Sequence, residues 1–312
     1  MTQIICGVDV SSKTLDARIG REGAVGRFAC TAEGVAALAA FCKAHRVDLV
    51  AMEATGGYEK MPFALLWTHG VPAAIVNPRS VRRFAEGMGF FEKTDRIDAG
   101  VIAWYAEVKR IVAQEPSSEA HQRLEALVTR LRQLTELRTA QTNQRRLVKE
   151  AAVLSTFDEL LALLKRQTRS LERQIAALVD SDPLWHKLDP AFRSIKGVAD
   201  RTVARLMAEM PEIGTLSNKA ISKLAGLAPF ARDSGTFKGK RVVRGGRTHV
   251  RSILFVVAEL VRRHNPDFAA FHKRLKDAGK PLKVIRIALA HKLLVRLNAK
   301  AREVREQIAC AT

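Results

Sequence analysis

Cysteine is scarce in this chain, and its cysteines are not arranged for a metal or a disulfide framework. Only four cysteines occur among 312 residues, and none forms a Cys-x-x-Cys pair. Cys42 alone has a histidine at ligand spacing, His45, and a structural zinc ion needs further ligands. The pattern argues against a zinc domain and a disulfide scaffold, and it fits a reducing, cytoplasmic compartment.

Long apolar runs are also missing. No stretch reaches the roughly eighteen consecutive apolar residues of a membrane span. The apolar N-terminal segment is interrupted by Asp9 and has no basic residues before it, which argues against a signal peptide. With 47% apolar and 6% aromatic residues, the composition indicates a globular, helix-rich chain that does not enter a membrane.

Acidic residues are sparse in the C-terminal part of the chain. The whole sequence has 52 Lys and Arg against 32 Asp and Glu, a net charge of +20. Residues 1–110 are nearly balanced, with 14 basic and 12 acidic side chains, whereas residues 231–312 have 20 basic and 6 acidic ones. Solubility requires no such asymmetry, so we expect the basic part to bind a polyanion, above all nucleic acid.

The hydrophobic pattern of residues 1–112 predicts an α/β domain. Three strands come first, and then a helix, which is followed by alternating strands and helices. This order is typical of a ribonuclease H-like (RuvC-like) sheet. The predicted strands are residues 4–10, 14–19, 25–30, 47–52 and 71–76, and the predicted helices are residues 31–45, 58–69 and 95–108.

From residue 113 the pattern changes to helices. Leucines at three- and four-residue spacing predict a helical coiled-coil arm over residues 113–185, with an ordinary helical core as the alternative. Thr156 and Glu159 have the spacing of a capping box and predict the start of its second helix. Residues 186–312 predict a mainly α-helical domain, whose Gly- and Arg-rich segment 231–248 forms a loop or short hairpin.

Four carboxylates of the first domain stand where a ligand site is expected. Asp9 lies within an apolar strand, and Glu53 follows the fourth strand at the edge where open α/β sheets bind ligands. Asp95 and Asp98 share one face at the start of a helix. Converging acids repel one another unless cations hold them, and hard oxygen ligands suit Mg²⁺ or Mn²⁺.

Each of these acids also has an ordinary explanation. Asp95 and Asp98 are favoured at a helix N-terminus by the helix dipole. Asp9 and Glu53 can pair with the nearby Lys13 or Lys60. The combination favours a metal site, because unpaired charge is seldom buried.

A serine lies inside the basic segment of the C-terminal domain. Ser234 precedes Gly235, and arginine side chains around it can hold phosphate oxygens and neutralise charge in a transition state. By composition alone, Asp-Ser-Gly is an ordinary turn, and the segment then only binds backbone phosphate. The predicted nucleic-acid contacts are Arg232, Lys238, Lys240, Arg241, Arg244, Arg247 and Arg251.

Several motifs of this chain resemble those of the insertion sequence 110 family of transposases, whose relatives are the Piv-type invertases. Each motif is weak alone, but together they follow the family's order over residues 4–305. They are Gly7-Val8-Asp9, Met52-Glu53-Ala54-Thr55-Gly56, Asn77-Pro78, Lys93-Thr94-Asp95-x-x-Asp98-Ala99 and Leu224-Ala225-Gly226-Leu227-x-Pro229 with Asp233-Ser234-Gly235.

The resemblance implies a RuvC-like domain in which Asp9, Glu53, Asp95 and Asp98 bind Mg²⁺. It also implies a transposase domain in which Ser234 becomes joined to a DNA end. A phosphoserine conserves the energy of the broken bond, so strands are exchanged without a high-energy cofactor. Members of the family work as tetramers on double-stranded DNA, so a homo-oligomer from dimer to tetramer is expected. Some are guided by a structured RNA, and the basic surface is compatible with holding one.

Other functions remain open at the level of sequence. A RuvC-like nuclease or resolvase cuts with metal-activated water and leaves no protein–DNA adduct, whereas a Piv-like invertase inverts a defined segment. The intact set of four acids and Ser234 argues against a non-catalytic relative. At residues 194–199, Lys196 and Ala199 replace a Pro and a Gly of the family's helix-hairpin-helix-like motif, so DNA contact by this segment is not predicted.

Overall fold

The computed structural model describes residues 3–90, 95–231, 233–239 and 241–310, with the backbone alone for residues 95–98 and 238. The chain divides into two compact units, residues 1–117 and 118–312. The first unit contains β1 (Ile5–Val10), β2 (Thr14–Ile19), β3 (Val25–Ala29), α1 (Ala32–Ala44), β4 (Leu49–Glu53), α2 (Lys60–Thr68), β5 (Ala73–Val76), α3 (Pro78–Gly87) and α4 (Asp95–Lys109).

The first unit is built on a five-stranded sheet in the order β3-β2-β1-β4-β5. β1, β2 and β3 are antiparallel neighbours, while β4 and β5 run parallel to β1. β1 and β4 are almost continuously buried because helices cover both faces of the sheet, whereas β3 alternates between half-buried and exposed residues. The predicted N-terminal α/β domain is therefore confirmed.

The two faces of this sheet have separate apolar cores. On one face, Val8 and Met52 pack with α1 and α2 around Leu38 and Leu66. On the other face, α3 and α4 cover Ala51 and its neighbours. α4 approaches β1 closely, since a Cβ on Gly7 would overlap the carbonyl oxygen of Ala99 and come within 2.6 Å of the Ala103 nitrogen.

The second unit begins with a helical hairpin made of α5 (Glu119–Arg145) and α6 (Ala151–Ser181). Leu124, Val128 and Leu131 of α5 are buried at three- and four-residue spacing, as a helix-packing seam requires. The same residues belong to the apolar core that the C-terminal helices share. The helical hairpin is thus continuous with the core of the second unit.

The rest of the second unit is mainly helical, as predicted. The long C-terminal helix lies at its centre, with Leu289, Leu293 and Leu297 fully buried. None of the described helices is both long and apolar enough for a membrane span. The elements are α7 (Pro183–Arg193), α8 (Asp200–Glu209), α9 (Asn218–Leu224), β6 (Pro229–Phe230), β7 (Asp233–Ser234), β8 (Phe237–Lys238), β9 (Val242–Val243), α10 (Thr248–His264), α11 (Pro266–Asp277) and α12 (Leu282–Ala309).

The capping-box prediction is wrong. α6 begins at Ala151, so Thr156 and Glu159 lie inside the helix. The Thr156 hydroxyl donates to the carbonyl oxygen of Val153, at 2.8 Å, and caps no helix N-terminus. The helix begins earlier because Ala151, Ala152 and Leu154 are good helix formers, and the chain turns at residues 146–150 instead.

Candidate active site and nucleic-acid interface

Asp9 and Glu53 lie side by side at the carboxyl ends of two neighbouring parallel strands. Val8 is paired with Met52 in the register of β1 and β4, and each acid is the next residue along its strand. Both therefore point to the same face as Gly7, which is the face that α4 covers. Both are half-buried. The structure thus brings together two of the four predicted acids.

The other two acids stand at the start of α4. The backbone of α4 begins at Asp95, and Ala99, one turn later, packs on Gly7. The segment after α4 returns to the first residue of β5, where the Gln114 amide donates to Ala73 at 2.9 Å. The helix therefore runs from the carboxyl ends of the strands toward their amino ends. The side chains of Asp95 and Asp98 lie outside the described residues.

A third acid, Asp16, was missed by the sequence analysis. It is directly opposite Asp9 in the register of β1 and β2, and therefore on the same face. Its carboxylate accepts from Arg27, 3.2 Å away, and from the Thr14 hydroxyl at 3.3 Å. The period-two pattern of β2 could have revealed it once β1 and β2 were paired. Among the side chains that the structure describes, no three acids, histidines or cysteines form a metal-binding group.

The loop after Glu53 is shaped by a second carboxylate that sequence reasoning also missed. Glu59 is buried and accepts from the backbone amides of Thr55 and Gly57, each at 2.9 Å. Gly56 and Gly57 have positive φ angles of 64° and 111°, which let the loop turn back on this carboxylate. The signal available in the sequence was a second glutamate, Glu59, which follows Glu53 by six residues in Glu-Ala-Thr-Gly-Gly-Tyr-Glu.

The donor chemistry of this sheet edge suits Mg²⁺. Asp9 and Glu53 offer carboxylate oxygens at adjacent positions, and hard cations prefer such ligands. Half-burial raises the cost of leaving two like charges together, which favours a bound cation. Asp9 and Glu53 therefore fit the metal that the sequence predicts.

Ser234 lies at the exposed tip of a short antiparallel hairpin. It pairs with Phe237 in the register of β7 and β8, and Gly235 and Thr236 form the turn. Gly235 has a φ of 54°, a left-handed conformation that glycine adopts without strain at the first turn position. Ser234 is exposed, and no described residue forms a hydrogen bond with its hydroxyl. We call residues 229–243 the serine hairpin.

The stem of the serine hairpin is a second pair of short strands. Pro229 pairs with Val243, and Phe230 pairs with Val242. The Arg244 guanidinium lies over the Phe230 ring, 5.6 Å from its centre. A cationic side chain therefore lies against the stem of the serine hairpin.

The predicted nucleic-acid contacts fall into three groups. Arg241 and Arg244 are exposed, as phosphate contacts require. Arg247 and Arg251 already have partners inside the chain: Arg247 forms a two-pronged ion pair with Glu212, and Arg251 donates to backbone carbonyls. Arg232, Lys240 and the side chain of Lys238 lie outside the described residues.

The segment at residues 194–199 forms a tight turn between α7 and α8. Val198 donates to the carbonyl oxygen of Ile195, at 3.0 Å, and both side chains are buried. Gly197 has a φ of 102°, and a Cβ there would come within 2.9 Å of the Val261 backbone. The turn thus packs on α10 with Lys196 exposed, despite its departure from the family's sequence.

Comparison with protein families gives two matches along the chain. Residues 6–152 match the DEDD transposase family of the IS110 type, described as a transposase. Residues 189–273 match the family described as transposase of the IS116/IS110/IS902 family. The first match spans both acid-bearing strands and the start of α4, and the second spans Ser234.

Curated relatives cover nearly the whole chain. The chain is 28% identical over 324 aligned positions to the pilin gene-inverting protein of Moraxella lacunata, with 98% of each chain covered. The pilin gene-inverting protein of Moraxella bovis gives the same values. An insertion element IS110 protein of Streptomyces coelicolor, of 43.6 kDa and uncharacterised, is 29% identical over 153 residues, 48% of this chain and 37% of its own.

Proposed function

The chain belongs to the IS110 family of transposases, and we propose that it exchanges DNA strands through a covalent phosphoserine at Ser234. Transposases and recombinases of this family cleave and rejoin DNA. The observation that carries the proposal is the position of Ser234, exposed at the tip of a hairpin in the most basic part of the chain. An ordinary surface turn is equally exposed but needs no such concentration of positive charge.

The first unit supplies the metal site of this proposal, in a ribonuclease H-like sheet. Asp9 and Glu53 would hold Mg²⁺ from adjacent strand ends, and Asp95 and Asp98 would join them from the start of α4. When bound, the ion would supply positive charge that stabilises the charge developing on the phosphate and leaving oxygens. Glu59 fixes the loop behind Glu53 through its two backbone amides.

The second unit supplies the nucleophile. The Ser234 hydroxyl oxygen attacks a backbone phosphorus, and the bond between that phosphorus and one sugar oxygen breaks as the phosphoserine bond forms. The proton of the serine hydroxyl ends on the departing sugar oxygen, so charge and atoms balance. Arg241 and Arg244 bind neighbouring phosphates and orient the strand. Rejoining is the reverse step with a different sugar hydroxyl, so no external energy source is required.

The test is a search for a covalent protein–DNA adduct. Wild type is incubated with Mg²⁺, with RNA transcribed from the flanking DNA, and with a nicked duplex carrying the joined ends of the encoding element. We expect a denaturant-resistant adduct with wild type and none with Ser234→Ala. Thr236→Ala is the matched control, because it removes a hydroxyl on the other side of the same turn and is expected to retain the adduct.

Two results would contradict parts of the proposal. If Ser234→Ala still cuts the duplex and neither protein is trapped on it, metal-activated water is the nucleophile. If Asp9→Asn forms the adduct at the wild-type rate with unchanged Mg²⁺ dependence, the acids of the first unit do not hold the metal.

A second function, inversion of a defined DNA segment, is favoured by one observation. The relatives that match 98% of the chain are the pilin gene-inverting proteins. Two plasmids distinguish inversion from insertion. One carries the element's ends in inverted orientation and reports inversion, and the other reports insertion. Inversion without insertion assigns an invertase, and insertion assigns a transposase.

Oligomerisation and RNA binding are part of the same proposal. We expect a homo-oligomer from dimer to tetramer, measured by light scattering after size-exclusion chromatography. The net charge of +20 suits a structured RNA as well as DNA. Loss of adduct after ribonuclease treatment identifies a guided enzyme, and an unchanged yield identifies an enzyme that recognises its DNA directly.

A further inference from the structure

Two arginines of the basic C-terminal part, Arg247 and Arg251, form hydrogen bonds with other groups of the protein. Arg247 Nη1 and Nη2 each lie 2.6 Å from an oxygen of the Glu212 carboxylate, and Nη1 also donates to the Glu209 carbonyl at 2.9 Å. Arg251 Nη1 donates to the carbonyl oxygens of Gly245 and Gly226, at 2.6 and 3.2 Å. These groups converge where the serine hairpin joins the helices.

The backbone is also in close contact at this point. The Arg247 amide donates to the Leu224 carbonyl at 2.8 Å. Gly226 and Gly246 have φ angles of 67° and 64°, and a Cβ on either glycine would overlap the backbone of the other segment. The two ends of the serine hairpin therefore meet backbone to backbone, and Arg251 bonds to one carbonyl of each.

Apolar packing does little to hold the stem on its other side. Pro229 and Val243, which pair in the stem, line an open pocket of 630 Å³ together with Phe271 and Ile287. Pro229, Phe230 and Val242 are exposed, so few atoms of the helices pack on the stem. The polar contacts at the base are thus the main fixed points of the serine hairpin.

We propose that Glu212, Arg247, Arg251 and Gly226 form a clasp that sets the direction in which the serine hairpin leaves the helices. In this proposal, which rests on the proposed function of Ser234, the clasp residues are positioning residues for that nucleophile. The clasp also gives a physical reason for the glycine of the Leu-Ala-Gly-Leu-x-Pro motif, because any side chain at residue 226 would displace Gly245 or Arg251.

The alternative is that Arg247 and Arg251 bind DNA phosphate, and Glu212→Gln separates the two roles. The substitution removes a negative charge and releases Arg247, so a phosphate-contact role predicts tighter DNA binding. The clasp predicts a looser hairpin and a slower serine reaction. The two roles therefore differ in the property that changes: DNA affinity for a phosphate contact, and the rate of the serine reaction for the clasp. Glutamine keeps the shape of the side chain.

The experiment compares Glu212→Gln and Arg251→Ala with two controls. Arg263→Ala removes an exposed arginine near the other end of α10, and Arg244→Ala removes an expected phosphate contact. Three readouts are taken: trypsin cleavage within residues 232–244, salt dependence of binding to a mixed-sequence duplex, and the adduct rate at saturating duplex. Thermal unfolding by circular dichroism shows whether each variant is folded.

The clasp predicts faster cleavage and a slower adduct rate with unchanged affinity. Cleavage of Glu212→Gln and Arg251→Ala rises about fivefold, since the lost charged hydrogen bonds are partly exposed and shift local opening by about that factor. The slope of the logarithm of the DNA-binding constant against the logarithm of the salt concentration (the salt slope) stays at the wild-type value for both variants. For Arg244→Ala, the magnitude of this slope falls by about one. At saturating duplex, the adduct rates of Glu212→Gln and Arg251→Ala fall, while that of Arg263→Ala does not.

If trypsin cleaves Arg251→Ala at the wild-type rate, and the salt slope of this variant is lower by about one, the clasp is overturned and Arg251 is a phosphate contact. A wild-type adduct rate in Glu212→Gln despite faster cleavage would overturn the positioning role. The cleavage and binding readouts need no adduct. Failure of wild type to form one therefore counts against the proposed function and leaves the clasp to be decided by the other two readouts.

Discussion

Asp9 and Glu53 lie at the carboxyl-terminal edge of a five-stranded sheet that is covered on both faces, whereas Ser234 belongs to a strand of two residues that is exposed. The register of β1 and β4 and the apolar cores on either side of the sheet fix the positions of the two acids. Ser234 has only a turn and a distant base to fix it.

The difference fits the roles proposed for the two groups, metal binding for the acids and nucleophilic attack for Ser234. Metal ligands must hold their oxygens within a few tenths of an ångström, and a buried parallel sheet provides such precision. A nucleophile that reaches into DNA must be accessible, and exposure limits the packing available to hold it. The serine hairpin is therefore positioned at its base, where glycine backbones and arginine bonds replace a core.

The largest expected effect comes from breaking the support of the acidic site alone. In Gly7→Val, the new side chain collides with the α4 backbone at Ala99 and Ala103, and neither atom can move independently. We expect the first unit to lose roughly 3 kcal/mol or more of its unfolding free energy. Differential scanning calorimetry should show an earlier transition for residues 1–117 and an unchanged one for the second unit. A single unchanged melting profile would mean that α4 does not rest on Gly7.

A smaller effect is expected at the loop that follows Glu53. Glu59→Ala removes a carboxylate that accepts from the amides of Thr55 and Gly57. Hydrogen bonds to a buried charged group are worth about 2 kcal/mol, and we expect a loss of that order in urea unfolding, with weaker Mg²⁺ binding. Glu22→Ala, at a highly exposed glutamate, is the control. Equal stability of the two variants would contradict the role of Glu59.

The serine hairpin should respond to acid through Glu212. Burial alone raises the pKa of Glu212, but the hydrogen bonds and charge of Arg247 outweigh it, so the net pKa is lowered. A lowered folded-state pKa stabilises the protein above the ordinary glutamate pKa, and this stabilisation is lost as the pH falls through the folded value.

We therefore compare wild type with Glu212→Gln by urea unfolding at several pH values. The advantage of wild type should be no more than about 1 kcal/mol at neutral pH, because the pair is about one-third exposed. It should disappear between about pH 5 and pH 3. An advantage that grows on acidification would show that Arg247 does not hold the Glu212 carboxylate.

The smallest effect is expected at the turn of the helical hairpin. Arg145 contacts Asp158 through two hydrogen bonds of 2.8 and 2.9 Å, and both side chains are exposed. Solvent screens such a pair, so Asp158→Ala should leave thermal unfolding nearly unchanged. A marked loss of helix content on this substitution would mean that the hairpin depends on the pair rather than on its apolar seam.

The sheet of the first unit was predictable because its strands are bounded by turns and are either short apolar runs, as in β1 and β4, or alternate with a period of two, as in β2. The helices α3, α7 and α11 were missed. Each begins with a proline, after Asn77, Asp182 and Asn265, whose side chains accept from backbone amides of the first turn. Asn77-Pro78 follows the predicted strand 71–76, and an Asx-Pro pair marks a helix start as well as the end of a strand.

The candidate site was only partly predictable. Sequence position placed Asp9 within the first strand and Glu53 after the fourth, but the opposition of Asp9 and Asp16 depends on the register between strands. In the basic segment, composition cannot distinguish Arg244, which is exposed, from Arg247, which is bound to Glu212, 35 residues away in sequence. Long-range pairing of this kind is a property of the folded chain.

Mass mapping of the trapped adduct tests the central claim most directly. Wild type is reacted with the nicked duplex, the DNA is digested to a short stub, and the tryptic peptides are sequenced by mass spectrometry. If Ser234 is the nucleophile, a nucleotide phosphate is found on its hydroxyl oxygen, and Ser234→Ala has no such modification. A phosphodiester on another residue, or cleaved DNA with no modified peptide, would contradict this role of Ser234.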